Sequence, residues 1–365
     1  MKADNTSSDQ SVSLSRRDFL QRSAAGVATL SLGDFPNQFK SQRMGIVVHS
    51  YASRWNAKQP SAKYPGFTNA LDLLIHCHEI GAGGIQTTIR DWAPGLSGKL
   101  RDQRENWGMY LEGSIGLPHS ISEAERFEQE VKSAKEAGAT ILRTVCMNGR
   151  RYENFHSSEA IQEFKAKSVA ALQLAEPIIR KHRMKLAIEN HKDWRADELA
   201  DLIKQIGSEW IGVTLDFGNS ISLLEDPMQV VNTLAPFVMS THVKDMGVVE
   251  YEDGFLLSEV PLGEGILDLP KIVNICRQYN PNVTFSLEMI TRDPLKIPCL
   301  TEEYWPAMHG VPGQDVANTI RMVRQKKFKT NLPTVAHLSP DYRLAVEEEN
   351  ILKSLEYSKN SLGLA

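Results

Sequence analysis

Four short apolar runs in this chain each end in a side chain that can hold a metal ion. Residues 184–191 (M-K-L-A-I-E-N-H) close on Glu189, 211–219 (I-G-V-T-L-D-F-G-N) on Asp216, 239–245 (M-S-T-H-V-K-D) carry His242, and 282–290 (N-V-T-F-S-L-E-M-I) carry Glu288. Singly each is weak, because a carboxylate at a strand end is more often a helix cap or ion-pair partner, and a strand histidine a hydrogen-bonded core residue. Together they form a set of three carboxylates and an imidazole, and acids that converge on one rim need a cation to offset their repulsion. Such donors suit one divalent ion, Mn²⁺, Mg²⁺ or Co²⁺, with Zn²⁺ as a further candidate.

Convergence needs a fold that aims all four ends the same way. A strand buried on both faces shows a polar end only at its C-terminal mouth, where parallel α/β folds place their chemistry. Apolar runs at 44–51, 84–89, 109–114 and 139–147 precede the four above, and Arg143 lies inside the last of these. Between the eight runs lie segments of helical period, at 68–80, 97–107, from Ser120 or Ser122 to 137, 158–183, 196–206, 227–237, 269–279 and 315–327. Strict alternation of strand and helix predicts a TIM (β/α)₈ barrel over 44–330, with a C-terminal helical extension over 331–365. The extra helix, at 340–358, would cap the barrel or pack against a second subunit, so a homo-oligomer is one expectation. An unusually long connection, 246–267, holds apolar residues on either side of Asp253-Gly254 and predicts a β-hairpin over the mouth.

Composition narrows the partners. A formal net charge of -4 over 365 residues gives no bulk reason to expect nucleic acid or an anionic membrane, so a small polar substrate fits better. Residues 1–43 are set aside as a leader and linker. Ser15-Arg16-Arg17-Asp18-Phe19-Leu20 ahead of a mild apolar run at 24–32 resembles a twin-arginine export signal, which predicts a periplasmic or exported protein. That run is too short to span a bilayer, so no stable membrane insertion is expected. The four cysteines, Cys77, Cys146, Cys276 and Cys299, are widely spaced and read as buried free thiols, with one disulfide as the alternative in an oxidising compartment.

On I-E-N-H at 188–191, T-L-D-F-G-N at 214–219, T-H-V-K-D at 241–245, P-L-G-E-G at 261–265 and S-L-E at 286–288, the chain resembles the xylose isomerase-like barrel superfamily of sugar phosphate isomerases and epimerases, from about Met44 to Lys327. The resemblance implies that Glu189, Asp216, His242 and Glu288 are metal ligands, and that Glu189 and Glu288 also act as catalytic acid and base on opposite faces of a sugar. The chemistry is coherent: a chelated hydroxy-ketone has an acidified C–H, and a metal-bound enediolate can lose and regain a proton. The expected function is a divalent-metal-dependent isomerase or epimerase acting on a keto-sugar or related polyol. A metal-dependent lyase or dehydratase on a keto-sugar, keto-glycoside or inosose shares the first proton abstraction and is the alternative. A non-catalytic carbohydrate-binding barrel is disfavoured, since binding alone would not require two opposed glutamates.

Around the ligands, His191 and Lys244 each follow one by two residues, and strand alternation puts them on the same faces. They are assigned to substrate hydroxyls or to the enediolate, with structural hydrogen bonding as the competing role. Arg143 is either a substrate contact or half of a salt bridge. Asn219 stands where many family members have histidine, and an amide can bind a sugar oxygen but cannot shuttle a proton. That departure, with the charge, argues against the DNA-cleaving members of the family. His49, Trp92 and Glu112 are further rim candidates.

Overall fold

A computed structural model describes residues 43–55, 57, 61–90 and 92–365. The expected leader, and the linker as far as residue 42, lie outside the described residues. Eight parallel strands close the barrel: β1 (Gly45–Val47), β2 (Gly84–Thr88), β3 (Tyr110–Ser114), β4 (Ile141–Thr144), β5 (Lys185–Glu189), β6 (Ile211–Asp216), β7 (Val238–Val243) and, after two intervening strands, β10 (Thr284–Leu287). They neighbour one another around the ring in the order β1-β10-β7-β6-β5-β4-β3-β2. This is the expected TIM barrel, and its strands are near-continuously buried, as parallel staves covered on both faces must be.

Helices follow each stave, and their ends are set by local chemistry. Ser120, not Ser122, caps Ile121–Glu136 by accepting from the Glu123 N–H. Asn69 caps Ala70–Glu79, Ser157 caps Ser158–His182, and Asp226 with Pro227 starts Pro227–Leu234. The buried faces of these helices, such as Leu199, Leu202 and Ile203 of Ala196–Ile206, join the barrel interior in one apolar core.

Several expected boundaries contract. The run at 44–51 is strand only over β1, because Val48–Tyr51 turns into a 3₁₀ helix, and the run at 139–147 is strand only over β4. The predicted hairpin is present as β8 (Asp245–Tyr251) and β9 (Gly254–Val260), but Tyr251 pairs with Gly254, so Glu252 and Asp253 make the turn, one residue earlier than expected. A third strand, β11 (Leu295–Ile297), was not anticipated and pairs antiparallel with β9. All four cysteines are free. The C-terminal helix, Pro340–Ser361, packs on its own chain, with Glu347 accepting from the Ser53 and Arg54 N–H groups and Ser354 Oγ accepting from Leu262 N–H.

Candidate metal centre

The C-terminal ends of β5, β6, β7 and β10 bring Glu189, Asp216, His242 and Glu288 together. Each offers a ligand atom, and these atoms all lie within 4.8 Å of one another. All four residues are buried, Glu288 the least so at 3% exposure. His242 Nδ1 faces the three acids, 3.4 Å from Glu189 Oε2, 3.5 Å from Glu288 Oε2 and 3.8 Å from Asp216 Oδ2. Neither that nitrogen nor Asp216 Oδ2 has a hydrogen-bond partner, although both are cut off from solvent. Burial of polar atoms without partners is costly, and a cation bound among them would relieve the cost.

The tautomer that a metal needs is fixed from behind. His242 Nε2 lies 2.8 Å from Gln86 Oε1, and the Gln86 amide nitrogen donates to Glu112 Oε2 at 2.9 Å. Glu112 also accepts from the Thr284 hydroxyl, and burial outweighs these bonds to hold its carboxyl above the usual range. With Gln86 Oε1 as an acceptor, Nε2 keeps a proton, so Nδ1 is the nitrogen that would give up its own and offer a lone pair to an ion bound among the acids. Sequence reasoning missed Gln86. Its only signal is an amide in the middle of a buried strand.

The electrostatics are those of a site short of positive charge. Burial alone would lower the His242 pKa, but the carboxylates of Glu288 and Glu189 outweigh it and raise the imidazole to about 10. Burial likewise would raise Glu189, yet Arg143 and His242 hold it well below the usual carboxylate range. Lys244 and His242 do the same for Glu288 against burial. Asp216 is pushed up by burial, which Lys244 only partly offsets, with Glu189 and Glu288 adding to the rise.

The expected substrate contacts divide. Arg143 turns out to be an ion-pair partner: its Nε donates to Glu189 Oε2 at 2.6 Å, Nη2 lies against the same oxygen, and Nη1 reaches Ser114 Oγ at 3.2 Å. Asn219 holds the other Glu189 oxygen, donating from Nδ2 to Oε1 at 2.9 Å. Lys244 enters the cluster itself, its Nζ 2.6 Å from Glu288 Oε2 and 2.8 Å from Asp216 Oδ2. Gly218 permits this, because a Cβ there would fall 2.6 Å from Met246 Cγ and 3.2 Å from Lys244 Cδ. His191 lies beyond β5, where strand alternation no longer applies. It contacts none of the four by hydrogen bond, its Nδ1 is buried without a partner, and burial, then Lys192, lowers its pKa to about 3. Of the rim candidates, His49 Nδ1 lies 3.0 Å from Glu288 Oε1, Glu112 supports His242 from behind, and Trp92 donates to Thr88 O within its own loop.

Fold and site converge with what comparison finds. The family described as xylose isomerase-like TIM barrel matches residues 108–326, and the chain belongs to it. It is similar to the 3-oxo-isoapionate decarboxylase of Pectobacterium atrosepticum, 24% identical over 252 residues, which span 67% of this chain and 85% of that protein. Among solved structures it is similar to D-psicose 3-epimerase with D-tagatose from Clostridium cellulolyticum (11% identity, TM-score 0.53, 78% of this chain and 97% of that one). It is similar also to a xylose isomerase-like barrel protein from Mycobacterium smegmatis in complex with magnesium (15% identity, TM-score 0.50, 77% and 98%). At these identities the structural likenesses establish the barrel. Among the described residues no helix is long and apolar enough to cross a membrane.

Proposed function

We propose that this chain is a divalent-metal-dependent enzyme acting on the carbon next to the ketone of a keto-sugar or related polyol. Glu189, Asp216, His242 and Glu288 would hold the ion. The observation that carries the reading is His242 Nδ1, a buried ring nitrogen without a hydrogen-bond partner that faces three carboxylates and is turned there by Gln86. When bound, such an ion acidifies a C–H beside the carbonyl it polarises.

The chain's own residues supply the rest. Glu288, held ionised beside Lys244, is the base, and half-exposed His49 at 3.0 Å can carry its proton to solvent. Lys244 brings a fixed positive charge to the place where oxyanion charge develops. Both glutamates have partners on both oxygens. Those of Glu189 are the Arg143 guanidinium and the Asn219 amide, neither of which passes a proton on, whereas one of those of Glu288 is the imidazole of His49. A carboxylate clamped like Glu189 is a good fixed ligand and a poor mobile acid, which favours a lyase, with one base and a leaving group, over two-base epimerisation. The decarboxylase relative is consistent with that preference. Epimerisation or isomerisation is the second reading, supported by two ionised glutamates on separate staves of one cluster.

Incubation of Mn²⁺-loaded protein with ketoses and 3-keto-glycosides in D₂O, followed by NMR and mass spectrometry, tests both. Deuterium gained without loss of mass marks the isomerase or epimerase. Loss of a fragment marks the lyase, and a metal-loaded protein that exchanges no C–H and cleaves nothing across the panel sinks the proposal. Export is part of the same reading, supported by Arg16-Arg17 in the leader, and replacing both with lysine should leave the protein in the cytoplasmic fraction.

A further inference from the structure

Lys192 is a buried cation in the mouth with no carboxylate at ion-pair distance, Glu259 and Asp216 acting on it only from further off. It is 5% exposed, and its Nζ donates to Asn219 Oδ1, a neutral amide oxygen. Among the described residues no carboxylate comes within 4.0 Å of that ammonium. Its neighbours are all matched: Arg143 by Glu189, Lys244 by Glu288 and Asp216, and Arg292 by Glu259, which β9 delivers to the mouth. Burial, then Lys244 and Arg292, lowers the Lys192 pKa to about 8, which still leaves it charged at neutral pH. Sequence reasoning passed over it because it lies beyond the end of β5, in a stretch with no periodicity to assign its face.

The charge pairing of the mouth has a consequence for the substrate. Arg143, Lys244 and Arg292 each have a carboxylate at ion-pair distance, whereas Lys192 has the amide oxygen of Asn219. A buried ammonium without a carboxylate at ion-pair distance calls for a counter-charge. Asn219 links the two parts, with Nδ2 on Glu189 and Oδ1 on Lys192. Two hydrogen bonds and one amide therefore put the ammonium on the order of 5–8 Å from the Glu189 oxygen, within one sugar's length.

We propose that Lys192 seats a carboxylate of the substrate, so that the enzyme takes an acidic keto-sugar, a keto-aldonate or keto-uronate, in preference to the neutral ketose. This rests on the metal-dependent keto-sugar reading above. One ammonium beside an amide matches the single charge of a carboxylate. A phosphate would call for more donors, and the helix that follows Lys192 along the chain, starting at Ala196, already gives its first N–H to Glu225.

Mn²⁺ binding, read by electron paramagnetic resonance on the full chain, tests the underlying function alone. A protein that binds no Mn²⁺ removes that function and this inference with it. With Mn²⁺ bound, calorimetry compares 2-keto-D-gluconate with D-fructose, and 5-keto-D-gluconate with L-sorbose, pairs that differ only in the carboxylate. The expected result is that at least one acid binds tenfold or more tighter than its neutral partner. Lys192→Met should bring that ratio near one, and Lys192→Arg should keep most of it, with circular dichroism confirming that both fold. The inference is overturned if neither acid is preferred, including the case where none of the four binds, or if Lys192→Met keeps the preference. It is overturned also if D-fructose 1-phosphate binds more tightly than 2-keto-D-gluconate.

Discussion

Two buried polar clusters in this molecule look alike in composition and differ in what they leave over. Beneath the C-terminal helix, Glu348 accepts from Arg54 Nη1 at 2.9 Å and Tyr51 Oη at 3.3 Å and meets His76 Nε2 at 3.1 Å, while Arg54 Nε reaches Pro65 O at 3.2 Å. Glu347 beside it accepts from two backbone N–H groups. Acid, histidine and arginine there answer one another completely. The cluster at the barrel mouth, with the same residue types, leaves His242 Nδ1 and Asp216 Oδ2 without partners. Lys244 lies 2.8 Å from the latter but off the hydrogen-bonding direction. A satisfied cluster fastens one element to another, and a cluster with polar atoms left over and aimed inward has the donor set that could hold a cation.

The most severe way to break this contrast is to remove a ligand without changing its shape. Asp216→Asn should lower Mn²⁺ affinity by about 100-fold or more and turnover by about 10³-fold, roughly 4 kcal/mol of transition-state stabilisation. Metal content by mass spectrometry and D₂O exchange read the two effects. The counterpart is Glu348→Ala, which strands the Arg54 guanidinium in a buried setting. It should cost about 3–5 kcal/mol of folding stability in denaturant titration and leave Mn²⁺ affinity within about twofold. If instead it costs metal and little stability, the distinction between the two clusters fails.

What the sequence shows and hides follows the same division. The barrel was legible because eight apolar runs alternate with helical periods, and the clustering of Glu189, Asp216, His242 and Glu288 because each interrupts such a run near its end. Arg143 was visible, but its choice of Glu189 over substrate was not, since the β4–β5 pairing that sets Arg143 beside Ala187 exists only once the staves align. Gln86 could not be tied to His242, because they sit on staves that approach only across the closed ring. The helix expected at 340–358 had no packing partner assigned by its sequence, and only the folded chain shows its Glu347 and Glu348 buried against the segment of Ser53 and Arg54. In each case the missing information is a contact between distant segments, and local periodicity carries none of that.

A smaller effect sharpens the role of the groups behind the site. Gln86→Leu removes the acceptor of His242 Nε2–H, frees the ring to adopt the other tautomer, and strips Glu112 of a donor. Metal affinity should fall by about 10- to 100-fold, as is usual for partners that orient a ligand histidine, and the metal-free protein should lose about 1–3 kcal/mol of stability because two buried polar groups lose a partner. A fall below about threefold would mean that Gln86 only fills space.

The gentlest test concerns a leftover atom that is not a site. Glu225 is buried, its Oε1 accepts from Ala196 N–H at 2.9 Å, and its Oε2 has no hydrogen-bond partner, yet among the described residues it belongs to no cluster of three or more metal-competent side chains. A lone acid settles the deficit by taking a proton: burial, against Arg195, raises its pKa to about 7 from an ordinary 4.5. The folded state then holds a proton that the unfolded state has released between those values, so this contribution to stability is complete below about pH 4.5 and is lost as pH rises through about 7. Glu225→Gln removes the titration. Across pH 5 to 8 the wild type should lose about 1–3 kcal/mol relative to the variant, measured by denaturant unfolding at each pH. Parallel curves would mean that Glu225 is ionised and answered, and that an unpartnered oxygen alone says nothing about either protonation or metal.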